Sequence, residues 1–527
     1  MRPVFDASAA GPNGVSLNEC LEVGPCLIPS LVDVLLRFRR WRVAVTADIS
    51  KAFLQLSLRE EDRDVHRFLW IHEGRKRVMR FRRVTLGVRS SPFLLNATIR
   101  HHLSLYAPSR AVLEMTENFY VDDLLSGADT EEEASSLLSE AQDVMAGAGM
   151  TLTKCVSNSA VVFDRTHAGN GTGERESAKV LGVMWRSGED VFSFEGLAVS
   201  ADVTPTKRVV LSCIARLFDP LGFVAPFVMV AKSLFQELWQ LGIEWDQVIP
   251  ADRGQIFSDW LRGVDMLKLL RIPRCYSTVG WRHGEGVSLH AFGDASPRGY
   301  GAVVYLRTAR PDGSGEVRLV LAKARLAPLK RVTLPRLELL GSLMAARLVT
   351  LVRQSLRLPD DTVIRCWSDS MIALGWLRGD PLRWKQFVAN RVRSIQGLTA
   401  PSDWAHCPGN ENPADLTTRG VSAAELLESE LWWSGPSWLA DPQARPDSGE
   451  AHDEPTESCQ LTGVPVEAIS ETAQAVSGSC LVAGTGEQPV FCTTRWSSLS
   501  KAVRVVGWVR RFCNNARSSR QKCVVPD

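Results

Sequence analysis

Short apolar runs alternate with helix-like stretches over residues 1–195, and the clearest strand is Val43-Ala44-Val45-Thr46-Ala47, which runs into Asp48. Val180–Trp185 and Val191–Phe194 predict a hairpin, with Arg186–Asp190 as its turn, after a glycine-rich gap at Ala168–Gly173. Residues 200–285 read as largely helical, with Pro220 and Pro226 as breaks. Residues 286–421 read strand, strand, helix, strand, helix. In that stretch Leu337, Leu340, Met344, Leu348 and Leu351 mark the buried stripe of a helix over Leu334–Leu351. No internal repeat is visible. The pattern predicts a multidomain α+β and α/β protein.

Composition adds little at first. The chain has 527 residues, 45% hydrophobic and 23% charged, with a net charge of +2, a balance that excludes wholesale disorder. Its distribution is more informative. Residues 1–110 hold 18 Lys or Arg against 10 Asp or Glu, whereas residues 421–490 hold 12 acids and one base, Arg445. The first region suits contact with phosphates; the second, rich in Ser, Thr, Gly, Pro and Ala after Asp441, reads as a disordered linker. Arg495–Lys522 carries eight basic residues and no acid, and Val505, Val506, Trp508, Val509 and Phe512 give it one apolar side. The 12 cysteines are scattered singly without a Cys-x-x-Cys pair, so they predict reduced intracellular thiols rather than a zinc module or a disulfide framework. No signal peptide opens the chain and no apolar run is long enough to span a bilayer.

Two adjacent acids, Asp122 and Asp123, interrupt the apolar run from Phe119 to Leu125. Neighbours on a strand face opposite ways, but at a tight hairpin both can approach one site. Asp48 ends another apolar strand, and three such carboxylates can hold two Mg²⁺ ions about 4 Å apart. A solvated turn is the plain alternative for an Asp-Asp pair.

At these residues the chain resembles the palm of a reverse transcriptase, through Tyr120-Val121-Asp122-Asp123 and Asp48. The resemblance implies that Phe53 is an aromatic gate against a ribose 2′-hydroxyl. It implies that Val84–Pro92, with Gly87, Ser91 and Pro92, touches nucleotide and template, and that Tyr120 lies beside them. It further implies that Lys154 falls near the incoming triphosphate and that Arg2 is the matching fingers arginine. The hairpin through Leu181-Gly182 resembles a primer-gripping element. Retroviral members carry glutamine before the glycine; here Leu86 stands, as in the Pao pattern. The wording of Val4–Ser8, Asn13–Asn18, Phe218–Gly222 and Glu411–Leu416 resembles one branch, the BEL/Pao class of long-terminal-repeat retrotransposons. That family's fingers start further upstream, so an incomplete fingers region is expected.

A second set of acids follows. Asp294 ends the first strand of a hairpin, Glu338 adjoins the leucine stripe, Asp369 follows the strand Val363–Trp367, and Asp415 opens the last helix. This order resembles the ribonuclease H fold and implies a second two-metal site for cutting RNA in an RNA–DNA hybrid, with His406 as a proton shuttle or a structural histidine.

The expected organisation is reverse transcriptase partial fingers and palm over 1–197 and a helical thumb/connection over 198–285. A ribonuclease H-like mixed sheet with helices spans 286–421. An acidic linker (422–490) and a basic amphipathic helix preceding an integrase (491–527) follow. The expected function is RNA-directed DNA polymerisation with RNase H-like cleavage. It uses Mg²⁺, two ions per site, with Mn²⁺ as a substitute. Partners are an RNA template, a DNA or RNA primer, the hybrid, dNTPs and the peptidase and integrase parts of the same polyprotein; no membrane is involved. One alternative is an impaired remnant that only binds nucleic acid. The other is an aspartic peptidase through Asp447-Ser448-Gly449, although Arg445, Pro446, Glu450 and Asp453 surround that tripeptide where hydrophobic strands are needed.

Overall fold

The computed structural model describes residues 4–167, 177–197, 203–278, 286–310 and 314–441. Arg2, the Ala168–Gly173 gap, the Asp447-Ser448-Gly449 tripeptide and the basic stretch from Arg495 lie outside the described residues.

The β-branched run predicted as a strand forms β1 (Val43–Ile49). An exposed basic hairpin follows, β2 (Arg67–His72) and β3 (Arg75–Arg80). β4 (Phe119–Tyr120), β5 (Asp123–Ala128) and β6 (Leu152–Ser157) complete an antiparallel sheet in the order β4-β5-β1-β6. The helix Glu131–Gly147 packs on it. Thr130 caps this helix by accepting from the Glu133 N–H, and three glutamates occupy its first turn, where the helix dipole favours them.

The expected hairpin forms with its turn at Ser187–Asp190, but its first strand starts later than expected and a third strand precedes it, making a meander. β7 (Ala178–Val180) and β8 (Val183–Arg186) are separated by a turn at Leu181 and Gly182, both with positive φ, before β9 (Val191–Ser193). The apolar run Val180–Trp185 concealed this turn because Leu181 looks like a strand residue while adopting φ +48°. β10 (Ile272–Pro273) then adds to β9, so the mostly helical segment also contributes one strand. Pro226 begins the helix Ala225–Gln240 rather than breaking one, because a proline in the first turn lacks an N–H that would be unpaired there anyway.

β11 (Val287–Ala295), β12 (Gly299–Ala309) and β13 (Gly315–Leu326) form an antiparallel run. β14 (Val363–Ser368) joins β11 in parallel and β15 (Trp404–His406) joins β14 in parallel, giving the mixed order β13-β12-β11-β14-β15. The leucine-rich helix runs on to Leu356 and packs across β11 and β12; Arg357, left-handed at φ +53°, ends it. The helix at Asp415 spans Ala414–Arg419 and is not the last, since Ala423–Glu428 and Glu430–Ser434 follow.

One continuous apolar core joins the helix Leu31–Phe38, the β7–β10 sheet, the helices Ala225–Gln240 and Ala251–Met266 and the β11–β15 sheet. A second core fills the other side of the β1 sheet. Among the described residues no helix is long and apolar enough to cross a membrane.

Candidate active sites

Asp48 is the sixth residue of β1 and Asp123 the first of β5, and antiparallel pairing makes them direct register partners. Asp122 stands in the tight turn before β5. That turn depends on Val121 at φ +60°, an unusual conformation for a β-branched residue, and strain of this kind concentrates at functional sites. The Asp122 carbonyl accepts the Ile49 N–H at 2.9 Å, which ties the turn to the end of β1. The geometry therefore brings Asp48, Asp122 and Asp123 together.

Lys154, also left-handed at φ +51°, sits where the β1–β6 pairing shifts register and places its Nζ 3.0 Å from Asp48 Oδ2. Burial, reinforced by the charges of Asp122 and Asp48, pushes the Asp123 carboxyl up to about 6, against a smaller opposing effect of Lys154. Asp48, Asp123, Lys154 and Leu181 line one cleft of about 290 Å³. The Leu181-Gly182 turn thus borders the same space as the acids.

The remaining residues of the first set surround this cluster in different ways. Tyr120 pairs with Asp123 across the β4–β5 turn. Phe53 lies half-buried in the short helix Ala52–Gln55, against the core beneath β1. Gly87 has φ +97°, and a Cβ there would collide with the Phe5 carbonyl. Asn18 braces the same loop, donating to the Gly87 carbonyl at 3.0 Å and accepting the Arg89 N–H at 2.8 Å. The Val4–Ser8 and Asn13–Asn18 motifs therefore shape the Val84–Pro92 segment. Ser91 is buried and donates its hydroxyl to the Thr85 carbonyl at 2.7 Å, while Pro92 starts the helix Ser91–Leu103. Their side chains hold the loop's shape.

The second set also converges. Asp294 lies one residue from the end of β11; Glu338 is in the second turn of the long helix; Asp369 follows β14; Asp415 is in the first turn of its helix. Gly341 makes the approach possible, because a Cβ there would lie 2.5 Å from the Asp294 carbonyl oxygen, and Gly293 meets the same helix backbone from the strand side. Burial, with help from the charges of Asp369 and Asp415, pushes the Asp294 carboxyl up to about 7, while the Thr418 hydroxyl acts in the opposite direction. Burial also raises Glu338, Asp369 and Asp415; Asp369 adds to the rise of Glu338, and Asp415 to that of Asp369. His406 is the β15 register partner of Ser368, and its charge favours the ionised Asp369.

Three partners of these acids were missed by sequence reasoning. Ser370 donates its hydroxyl to Glu338 Oε2 while capping the helix Met371–Arg378. Thr418 donates to Asp294, and Arg419 pairs with Asp415 at 2.6 Å. The available signal was position, since Ser370 directly follows Asp369 and both Thr418 and Arg419 come just after the Glu411–Leu416 motif.

Among the described residues no three His, Cys, Asp or Glu side chains stand in cation-holding geometry. The donor chemistry nevertheless fits divalent cations, because carboxylates that raise one another's proton affinity are what such a cation neutralises.

Residues 16–184 match the reverse transcriptase (RNA-dependent DNA polymerase) family, and residues 206–370 match the Pao retrotransposon-like RNaseH-like domain. The chain carries a reverse transcriptase domain followed by a Pao retrotransposon RNase H-like domain. This agrees with the family resemblance of its motifs. Asp48, Asp122 and Asp123 lie within the reverse transcriptase match, and Asp294, Glu338 and Asp369 within the Pao match. These families generally use divalent metals. No curated protein matches the chain. Similar solved structures include the foamy viral protease-reverse transcriptase dRH with double-stranded DNA, at 16% identity and TM-score 0.48, covering 77% of this chain and 62% of that one. The foamy viral protease-reverse transcriptase with an RNA/DNA hybrid gives 15% and 0.44, covering 72% and 45%. The same type of protein with double-stranded DNA gives 15% and 0.48, covering 74% and 72%. The chain spans about three fifths of the first of these and under half of the second.

Proposed function

We propose that the chain is an RNA-directed DNA polymerase of a Pao-class retrotransposon, with a second site that cleaves RNA in an RNA–DNA hybrid. The observation that carries the first activity is the register of Asp48 opposite Asp123, with Asp122 in the strained turn between β4 and β5. Asp48, Asp122 and Asp123 would hold two Mg²⁺ ions. Bound there, the ions supply the positive charge that activates the primer 3′-oxygen and stabilises the departing oxygen of the dNTP. The chain's own residues do the rest. Lys154 holds the Asp48 carboxylate and lies where triphosphate charge would arrive, and the Leu181-Gly182 turn walls the cleft that would receive the primer end. The basic fingers hairpin and the rest of the basic N-terminal region would hold template and primer by phosphate contacts, so binding weakens as salt rises.

At the second site Asp294, Glu338, Asp369 and Asp415 would hold the cations for hydrolysis, with His406 beside Asp369 to carry the leaving proton. Primer extension on an RNA template with Mg²⁺ tests the first activity. Extension by the wild type that is lost in Asp122→Asn is expected; extension that is absent, or unchanged in the variant, overturns the polymerase reading.

A further inference from the structure

The second carboxylate cluster is held in shape by a residue that is not an acid. Thr418 is wholly buried, and its Oγ1 lies 2.7 Å from Asp294 Oδ2 and 3.0 Å from the Asp415 carbonyl oxygen. The hydroxyl therefore ties the Asp294 carboxylate on β11 to the backbone of the helix Ala414–Arg419 at the turn that carries Asp415. The surroundings leave it little freedom. The Thr418 carbonyl accepts the Ser296 hydroxyl at 3.0 Å. Thr417, equally buried, donates to the Ala414 carbonyl at 2.7 Å and packs where a Cβ on Gly301 would collide with it. Asn412 donates to the Gly293 carbonyl at 3.3 Å and accepts the Ala414 N–H at 3.1 Å. The segment 412–418 is thus stitched to β11 and β12 by uncharged polar groups directly beneath the acids.

We propose that Thr418 is a positioning residue for cation binding at the second site, its hydroxyl fixing the Asp294 carboxylate relative to Asp415 so that both present oxygens to the same ion. The inference rests on the ribonuclease reading of that site. The physical reason is electrostatic. Asp294 is buried beside Asp369 and Asp415, and an unrestrained carboxylate would rotate away from its neighbours' charge. The Thr418 hydroxyl and the Ala295 N–H hold it against that repulsion before any ion arrives. Partners that orient ligands in this way typically contribute about 10–100-fold to metal affinity or activity.

The test is Mn²⁺ binding to the full chain, followed by the loss of the free-ion paramagnetic resonance signal. The background is Asp48→Asn with Asp123→Asn, so that only the second cluster contributes. Thr418→Val keeps the shape and removes the hydroxyl; it is expected to weaken binding by roughly tenfold or more while circular dichroism remains that of the parent. Thr418→Ser is expected to restore binding, which a purely packing role for the methyl group would not allow. Should Thr418→Val lose its fold, Thr418→Ala is read against Thr418→Ser in the same way. Binding by the hydroxyl-free variant equal to the parent, or no recovery in Thr418→Ser, overturns the inference. Asp369→Asn separates the two levels. Asp369-dependent binding that ignores Thr418 defeats this inference alone; a parent without Asp369-dependent binding defeats the ribonuclease reading as well.

Discussion

Arg274 and Asp190 close a bidentate ion pair, Nε to Oδ1 at 2.6 Å and Nη2 to Oδ2 at 2.8 Å, with the arginine side chain wholly buried. The other guanidinium hydrogens go to the carbonyls of Phe38, Trp41 and Arg42 at 2.7, 2.8 and 3.0 Å, so all five donors are used. Those carbonyls lie at the end of the helix Leu31–Phe38 and in the connection from it into β1, the strand of Asp48. Asp190 also accepts from Trp185 Nε1 and Asn158 Nδ2, and Asn158 accepts the Ala44 N–H. Arg39 extends the network to the β11–β15 sheet, reaching the carbonyls of Leu319 and Val320 while lying 4.3 Å above the Tyr276 ring. The entry to the first site and the sheet of the second are therefore bound into one buried network.

Removing Arg274 leaves the half-buried Asp190 carboxylate without its counter-charge and three backbone carbonyls without their donor. Arg274→Met is expected to destabilise the chain by about 3–5 kcal/mol. Because the network joins both regions, tryptophan fluorescence and helical circular dichroism are expected to lose their native signal at the same lowered urea concentration. A variant whose midpoint stays within the error of the wild type refutes this account of the pair.

Asp294 gives a pH dependence with a definite sign. Its folded-state proton affinity, up at about 7, exceeds that of the unfolded chain, so the metal-free native state binds the proton more tightly. That contribution to stability is fully present below the ordinary carboxylate range, about pH 4, and is lost as pH rises through about 7. In EDTA, Asp294→Asn should therefore gain stability over the wild type between pH 5 and 8, by on the order of a few kcal/mol at the upper end. Mg²⁺ should reverse the trend for the wild type, since ligation requires the carboxylate. Equal pH slopes for the two proteins in EDTA would falsify the assignment.

The Phe218–Gly222 motif acquires a mechanical role. Asp219 accepts the N–H groups of Phe223 and Val224 at 2.9 and 2.8 Å at the start of the helix Ala225–Gln240. Leu221 offers its carbonyl to the Ala322 N–H on β13 at 2.9 Å. Gly222 has φ +74°, and a Cβ there would overlap the Ala322 carbonyl, its carbon only 2.6 Å away. Gly222→Ala is expected to cost about 2 kcal/mol or more, from left-handed strain and the displaced contact together. Amide exchange should quicken along β13 and the helix Ala225–Gln240. An unchanged exchange pattern counts against the motif as a clasp between them.

The sequence carries the acids better than their supports. Asp48 and Asp123 are legible because each interrupts or ends an apolar strand, a position where an unpaired charge needs a reason. The turn at Leu181 and Gly182 is not legible, since both sit inside an apolar run that reads as strand and nothing in an isolated leucine signals positive φ. Thr418 and Ser370 are invisible by pattern alone; their hydroxyls matter only because folding brings them to acids 124 and 32 residues away. Arg274 misleads in the opposite direction. A charged residue between Pro273 and Cys275 reads as surface, and only the convergence of three backbone carbonyls and Asp190 makes its burial tolerable.

The two carboxylate clusters share no side chain, and each has its own basic partner, Lys154 on Asp48 and Arg419 on Asp415. Substitutions should therefore separate the activities. Asp122→Asn is expected to lower primer extension by at least ~10³-fold, the loss of several kcal/mol of transition-state stabilisation, and to leave cleavage of a labelled RNA–DNA hybrid within about twofold. Asp369→Asn should do the converse, sparing extension on a single-stranded template and abolishing cleavage. Lys154→Ala should weaken extension chiefly through the apparent affinity for dNTP, because its cationic Nζ stands beside Asp48 as a point charge on a flexible, exposed stem. Paired assays on one preparation of each variant make the comparison independent of folding yield. If Asp369→Asn cleaves the hybrid as fast as the wild type, the second cluster has been assigned the wrong chemistry. If Asp122→Asn depresses cleavage as strongly as extension, the sites are coupled through the buried arginine network rather than independent.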